Sequence, residues 1–345
     1  MARRKSTRMS RMKNIEPSVL TLAYLLPAGA PTVSHIDLSQ SASLINRRFY
    51  RQGLNWAVAG FRLVTPTGVT GGVSVLKLPN TWVLSNSWHK SFAVWNRMNK
   101  AALAENESIR PRFLDFKIYS DAVHHNAGYA ANLLPISGAA APAIAGEWES
   151  SKIYVPIAST LTPAPGGPDM QDYEIIATGP SYPGASAVTG LDAVSLIEGY
   201  ASSRGLPNVL DPNAPDDIAD TGGLNPENWM SAMFNEGETQ QLEVLEDMIT
   251  ENNIAPYPFE NDGVNVDTMY PGGANQLAGQ EYHDSAFVSP TTIGGITSVR
   301  GSNFPCGLIT VAHNLTAPAE GGVILQVMLM PGNHRGYLAE KMQDM

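Results

Sequence analysis

Residues 54–64 read LNWAVAGFRLV. Leu54, Trp56, Val58 and Gly60 share one parity, and Arg62 closes the run on the same side. Alternation of this kind is the signature of a half-buried strand, because successive side chains point to opposite faces. A Thr65-Pro66-Thr67-Gly68 turn follows, and VSVLKL at 73–78 makes a second strand, stopped by Pro79. Near the other end, GLITVAHN (307–314) and GVILQVMLM (322–330) are again strand-like. Strong strands at both ends of a chain, without the regular spacing of βαβ units, point to antiparallel layers.

The rest of the chain fits around this frame. Thr32 to Ile45 reads as a half-buried strand, with Val33 and Gln40 as irregularities. Further strands are expected at Arg112–Tyr119, Glu147–Pro156 and Tyr173–Thr178, and a weaker one at Ser285–Ile293. Ser85–Glu105 carries a helical stripe of Phe92, Trp95, Met98 and Ala102. Leu191–Arg204 is a second helix, closed by Gly205, and 226–253 holds a third helical signal. The 31 Gly and 25 Pro are scattered as turn punctuation rather than gathered in a tract. The expected fold is mainly β: an antiparallel jelly-roll sandwich with helical and loop insertions and a disordered basic N-terminal arm. Residues 1–31 form the arm and a connector, 32–335 one domain with long inserted loops (about 205–284 the largest), and 336–345 a C-terminal tail.

The arm carries the sharpest signal. Met1–Lys13 reads MARRKSTRMSRMK and holds Arg3, Arg4, Lys5, Arg8, Arg11 and Lys13 with no acid. Six of the chain's 22 bases thus sit in thirteen residues, which leaves 16 bases against 32 acids for the remainder. The asymmetry runs further: residues 1–117 hold 17 bases and 5 acids, and the other 27 acids lie beyond them with 5 bases. A flexible cationic segment neutralises phosphates and releases counterions, so its natural partner is a polyanion. Arg47, Arg48 and Arg51 flank Phe49 and Tyr50, a mixture suited to stacking on unpaired bases.

Signals for catalysis or metal binding are weak. GxxxxGK[ST], GxGxxG and GxSxG do not occur. The one histidine pair, His124-His125, is read on a strand, where neighbours face opposite ways and cannot share a metal. Asp211, Asp216, Asp217 and Asp220 lack EF-hand spacing and read as a solvated acidic loop. The single Cys306 excludes an intrachain disulfide and a cysteine-based zinc site. No apolar run reaches membrane-spanning length. No catalytic residue, metal or cofactor is expected.

HIDLSQSASLINRRFYRQGLNWAVAGFRL (35–63), GEWESSKIYVP (146–156) and GGVILQVMLMP (321–331), behind a short Arg/Lys-rich start, resemble capsid proteins of small circular single-stranded DNA viruses (the CRESS-DNA group). That resemblance implies a structural subunit that assembles with itself into an icosahedral shell of roughly 60 copies or a multiple. It implies a virion location, with passage through the host nucleus, and no membrane partner. It also implies that the arm lies inside the shell on a single-stranded genome, DNA rather than RNA. A non-viral nucleic-acid-binding protein with a basic tail is the first alternative. A β-sandwich hydrolase with an N-terminal targeting segment is the second, and there the apolar stretch Val19–Ala30 would belong to the signal.

Overall fold

The computed structural model describes residues 17–104, 115–138, 141–157, 169–204, 279–290, 295–318 and 321–345. In chain order the elements are β1 (Thr21–Leu26), β2 (Thr32–Asp37), α1 (Leu38–Asn46), β3 (Leu54–Val64), β4 (Gly71–Lys77), α2 (Trp82–Ala104) and α3 (Ala122–Ala127). Then come β5 (Ile153–Ile157), β6 (Asp169–Ile176), β7 (Ala193–Ser195), α4 (Leu196–Arg204), β8 (Glu281–Val288) and β9 (Ile296–Phe304). The chain closes with β10 (Leu308–His313), β11 (Val323–Leu329), β12 (Pro331–Gly332), β13 (Gly336–Tyr337) and β14 (Ala339–Lys341).

The protein is mainly β, with curled antiparallel sheets. One sheet runs β1-β11-β3-β9 and the other β2-β10-β4-β8, with every neighbour antiparallel. β1 pairs with β11, β2 with β10, β3 with β9 and β4 with β8. These eight strands therefore form one long antiparallel ribbon, bent between β4 and β8 and coiled into two layers. Their inner faces share a core that includes Leu22, Tyr24, Phe61, Leu325 and Val327 from the first sheet and Ile36, Val75, Ile309 and Val311 from the second. Each such side chain contributes about 1.5–3 kcal/mol when removed from water.

The chain between β4 and β8 builds a second core. α2 and α4 pack on β5 and β6 through Trp88, Trp95, Val155, Tyr173, Ile197 and Tyr200. Cys306, Leu308 and Met342 belong to the same cluster and fasten it to the end of the sandwich. Residues 133–136 run along the outer edge of both sheets. Leu133 N–H donates to His35 O at 2.8 Å, and Ile136 N–H to Ala23 O at 2.6 Å. Bare strand edges invite pairing with other chains, and this segment covers two of them.

Several local expectations change. Residues 21–26, read as connector, are the first strand, with Leu22, Tyr24 and Leu26 buried. The strand expected over 32–45 stops at Asp37, whose carboxylate accepts from Ser39 N–H (2.8 Å) and Gln40 N–H (3.2 Å). That side chain caps α1 and turns the chain from period 2 to period 3.6. The alternation in β3 also breaks. Met328 pairs Gly60 and Leu329 pairs Val58, so Ala59 is an extra residue, a β-bulge. Trp56 and Val58 point inward before it, and Phe61 and Leu63 after it. Arg62, on the apolar parity in the sequence, is thereby exposed. Of the expected strand 112–119, residues 115–118 are irregular and Tyr119 makes a single bridge to Ile176. Residues 191–204 begin with β7 before helix α4. His124 and His125 lie on helix α3, not on a strand. The helical signal at 226–253 and the acidic loop 211–220 lie outside the described residues.

Candidate nucleic-acid interface

The candidate interface is assembled around the C-terminus of α1. Arg47 ends that helix in the left-handed region (φ 53°, ψ 38°), which swings the following residues out of the helical path. Arg48 Nη1 then donates to Pro17 O at 3.2 Å. Val19 N–H donates to Asn46 Oδ1 (3.0 Å), and Tyr337 Oη donates to Val19 O (2.7 Å). Asn46 Nδ2 donates to that same Tyr337 hydroxyl at 2.7 Å. Arg335 Nη1 donates to Phe49 O at 2.5 Å, and Tyr50 Oη to Arg335 O at 3.1 Å. Three stretches far apart in the chain, 17–19, 46–51 and 335–337, are thus tied into one pole.

That pole is basic. Arg47, Arg51, Arg335 and Lys341 are exposed and Arg48 is half-buried. Glu340 is the acid beside Lys341, and it accepts from Asn55 Nδ2 at 3.0 Å. Burial, with Arg335 alongside, holds the His334 imidazole below its usual range, so it adds no charge near neutrality. A cleft of about 420 Å³ opens here between the sandwich and α2. Phe49, Trp88 and Phe92 line it, with Arg51, Arg335 and Lys341 around them.

Of the residues expected to bind nucleic acid, Arg47, Arg48 and Arg51 come together at this pole. Arg3, Arg4, Lys5, Arg8, Arg11 and Lys13 lie outside the described residues, and the chain enters them from Pro17, where Arg48 is bound. The aromatic expectation is half corrected. Tyr50 is 0% exposed and packs on Trp56 and Tyr337 in the core, so its face is closed to a base. Phe49 remains at the cleft. Arg335 and Lys341 were missed. Their signal was present: only five bases follow residue 117, and two fall in the last eleven positions.

Asp115 lies in the same cleft and accepts from Gln52 N–H at 3.3 Å. Burial pushes its carboxyl up to about 7, against the pull of Lys117. A raised folded-state value means stability that is full below the unfolded value near 3.8 and lost as pH rises through 7. Asp115→Asn is therefore expected to be more stable than the parent at pH 8 and to lose that advantage by pH 4. Urea midpoints at the two pH values test this, and an equal shift at both would contradict it.

The histidine pair has a different role. His124 Nδ1 accepts from Ser120 N–H (3.1 Å), which fixes the neutral Nε2–H tautomer, and Nε2 donates to Asn132 Oδ1 (2.9 Å). His125 Nε2 sits 2.9 Å from Glu174 Oε2, with both side chains buried. Burial opposes the Glu174 charge, but hydrogen bonds from His125, Ser150 and Thr189 outweigh it and hold the carboxyl below its usual range. Ser120 Oγ is 3.2 Å from His124 Nδ1, as a nucleophile and base would be. At 2% and 1% exposure, however, the two are closed to any substrate and act as a polar core. Among the described residues, no three metal-ligating side chains gather.

No family model, curated protein or solved structure matches the chain.

Proposed function

We propose that this chain is a viral capsid subunit that assembles with itself into a small icosahedral shell and packages single-stranded DNA through its basic arm. The observation that carries the reading is the convergence of the arm's point of departure with Arg47, Arg48, Arg51, Arg335 and Lys341 at one pole. A subunit with one cationic end has an inside and an outside, and the inside suits a polyanion. Strand order supports a jelly roll: pairing first with last, second with seventh and so inward, coiled into two four-stranded layers, is the plan of that sandwich. Exposed apolar side chains support assembly. On β8, at the edge of its sheet, Phe287 is 82% exposed and Tyr282 61%. The reading requires no catalysis, and it places the protein in virions and, during assembly, in the host nucleus.

About 60 copies of a 37.0 kDa chain make a particle of roughly 2 MDa. Light scattering and electron microscopy of the expressed protein should find closed particles of at least that mass. A monomer or dimer persisting across protein and salt concentrations would end the capsid reading and favour a non-viral nucleic-acid-binding protein. Deleting residues 2–13 should leave particles but empty them of nucleic acid. Full nucleic-acid content after the deletion would remove the arm from packaging.

A further inference from the structure

We propose that the cleft at the basic pole is a nucleotide seat, which takes one unpaired base of the packaged strand against its aromatic wall, with Phe49 and Phe92, and its phosphate on Arg51, Arg335 and Lys341. The proposal rests on the single-strand reading above and gives it a folded site, distinct from the arm. Three features of the cleft point to this ligand. Its volume of about 420 Å³ falls in the range of small-ligand sites and suits one nucleotide rather than a helix. Its walls are aromatic: Phe49 and Phe92 are half-buried, Phe92 is held between Trp88 (5.1 Å between centroids, 13° between planes) and Trp95 (6.2 Å, 29°), and Phe49 lies against Trp148 (6.4 Å, 51°). Aromatic side chains fixed in this way give a rigid wall for a base to lie against, whatever its sequence. Cations then come from both chain ends, Arg51 from one and Arg335 and Lys341 from the other, so the seat exists only in the folded sandwich. In a duplex, bases are stacked inside and their faces cannot enter such a cleft without flipping, so an unpaired strand is the fitting partner.

The Arg335 anchor adds a positioning element. Its Nη1 donates to the Phe49 carbonyl, so the cation and the aromatic wall hold each other in place. Asp115 in the same cleft is a carboxyl that burial keeps partly protonated near neutrality, which lessens its repulsion of a phosphate.

The test uses the full chain and a short 4-thiothymidine-substituted oligo(dT), with oligo(U) in parallel. Binding is followed by anisotropy over a salt series, and photo-crosslinks are mapped by mass spectrometry. Crosslinked peptides containing Phe49, Trp88 or Phe92 are expected beside those from the arm. Arg51→Ala with Lys341→Ala should weaken binding about ten-fold, flatten the log–log salt slope by about 1.4, and remove the cleft crosslinks while the arm crosslinks persist. Arg335→Ala should weaken binding and flatten the slope by about 0.7, and the first pair keeps the test valid should that variant loosen the Phe49 loop. Crosslinks confined to residues 1–13, with cation variants binding as the parent does, would overturn the seat and leave the packaging reading intact. Failure of the full chain to bind either oligonucleotide at low salt would overturn both.

Discussion

Gly301→Ala should destabilise the sandwich by about 3 kcal/mol or more, the upper range for overpacking a tight site. The reason is the bulge in β3. Ala59 has no partner on β11, and on its other side Gly301 of β9 sits between the pairs Arg300–Gly60 and Ser302–Val58. A Cβ on Gly301 would lie 2.1 Å from Val58 O and 2.4 Å from Ala59 C and O. Those are backbone atoms of a central strand and cannot swing aside as a flexible side chain would. Both strands change parity around this point: Trp56 and Phe61 are core residues on β3, and Val299 and Phe304 on β9. Phe61 and Phe304 meet edge to face at 5.5 Å, so the two parity breaks place one aromatic pair in the core. Gly138→Ala is the control. Nothing lies within 4 Å of its Cβ, and its effect should stay within about 0.5 kcal/mol. Urea unfolding followed by tryptophan fluorescence measures both. Parent-like stability of Gly301→Ala would show that the β3 and β9 backbones yield to the added methyl group.

The bulge also shows what the sequence could reveal. LNWAVAGFRLV announces a strand, and its alternation is legible from Leu54 to Val58. The irregular placement of Arg62 was the trace of an extra residue, but a bulge depends on the partner strand, which period-2 counting does not see. β1 was legible in the same way, since Leu22, Tyr24 and Leu26 alternate, yet Pro17, Pro27 and Pro31 made the stretch look like a linker. At α1 the competing principle was capping. Asp37 fits a strand position in a parity count, and its role as N-cap emerges only when Ser39 and Gln40 turn their N–H groups onto it. The basic pole was half legible. Arg47, Arg48 and Arg51 are consecutive enough to be seen, whereas Arg335 and Lys341 join them through tertiary pairing of β14 with β3. Composition carries no information on which distant strand ends meet.

That pairing also changes the meaning of the charge split between the first 117 residues and the rest. The positive first third is not positive as a separate layer. Its strands alternate with those of the C-terminal third in both sheets, so charge can segregate only along the strand direction, toward one end of the sandwich. The arm's departure from β1, the end of α1 and the 331–337 excursion between β11 and β14 all lie at that end. Polarity in this molecule is a property of strand ends, where loops carry ligand-binding groups without disturbing the core.

Acid should loosen the segment around α3 before it unfolds the sandwich. His35 on β2 and His124 on α3 stack with ring centroids 4.4 Å apart and planes 10° apart, at 4% and 1% exposure. Burial pushes both imidazoles below their usual value. For His124 the neighbouring His35 pushes further, and for His35 the Asp121 carboxylate pulls partly back. Depressed folded-state values mean that the unfolded chain binds more protons, so stability is full above about 6.5 and falls as pH drops below it, by up to about 1.4 kcal/mol per unit for each group. Protonation would also place a second N–H on His124 Nδ1 against Ser120 N–H, ending the hydrogen bond that fixes its tautomer. Asp37 and Asp115, whose carboxyls burial raises, act in the opposite sense and partly offset the loss. The strain is local because α3 and residues 129–136 are joined to the sandwich by short-range ties, among them Leu133 to His35, Ile136 to Ala23, Asn132 to Gln40, Gln52 to Tyr129 and Gln280 to Asp121. Hydrogen exchange, corrected for intrinsic rates, should show residues 120–136 opening at pH 5 relative to pH 7.5 while β3 and β11 stay protected. His35→Phe keeps an aromatic stack without a titrating group and should halve the acid sensitivity. Unchanged protection of 120–136 at pH 5 would show that the stacked pair tolerates charge, and that the surrounding core relaxes around it.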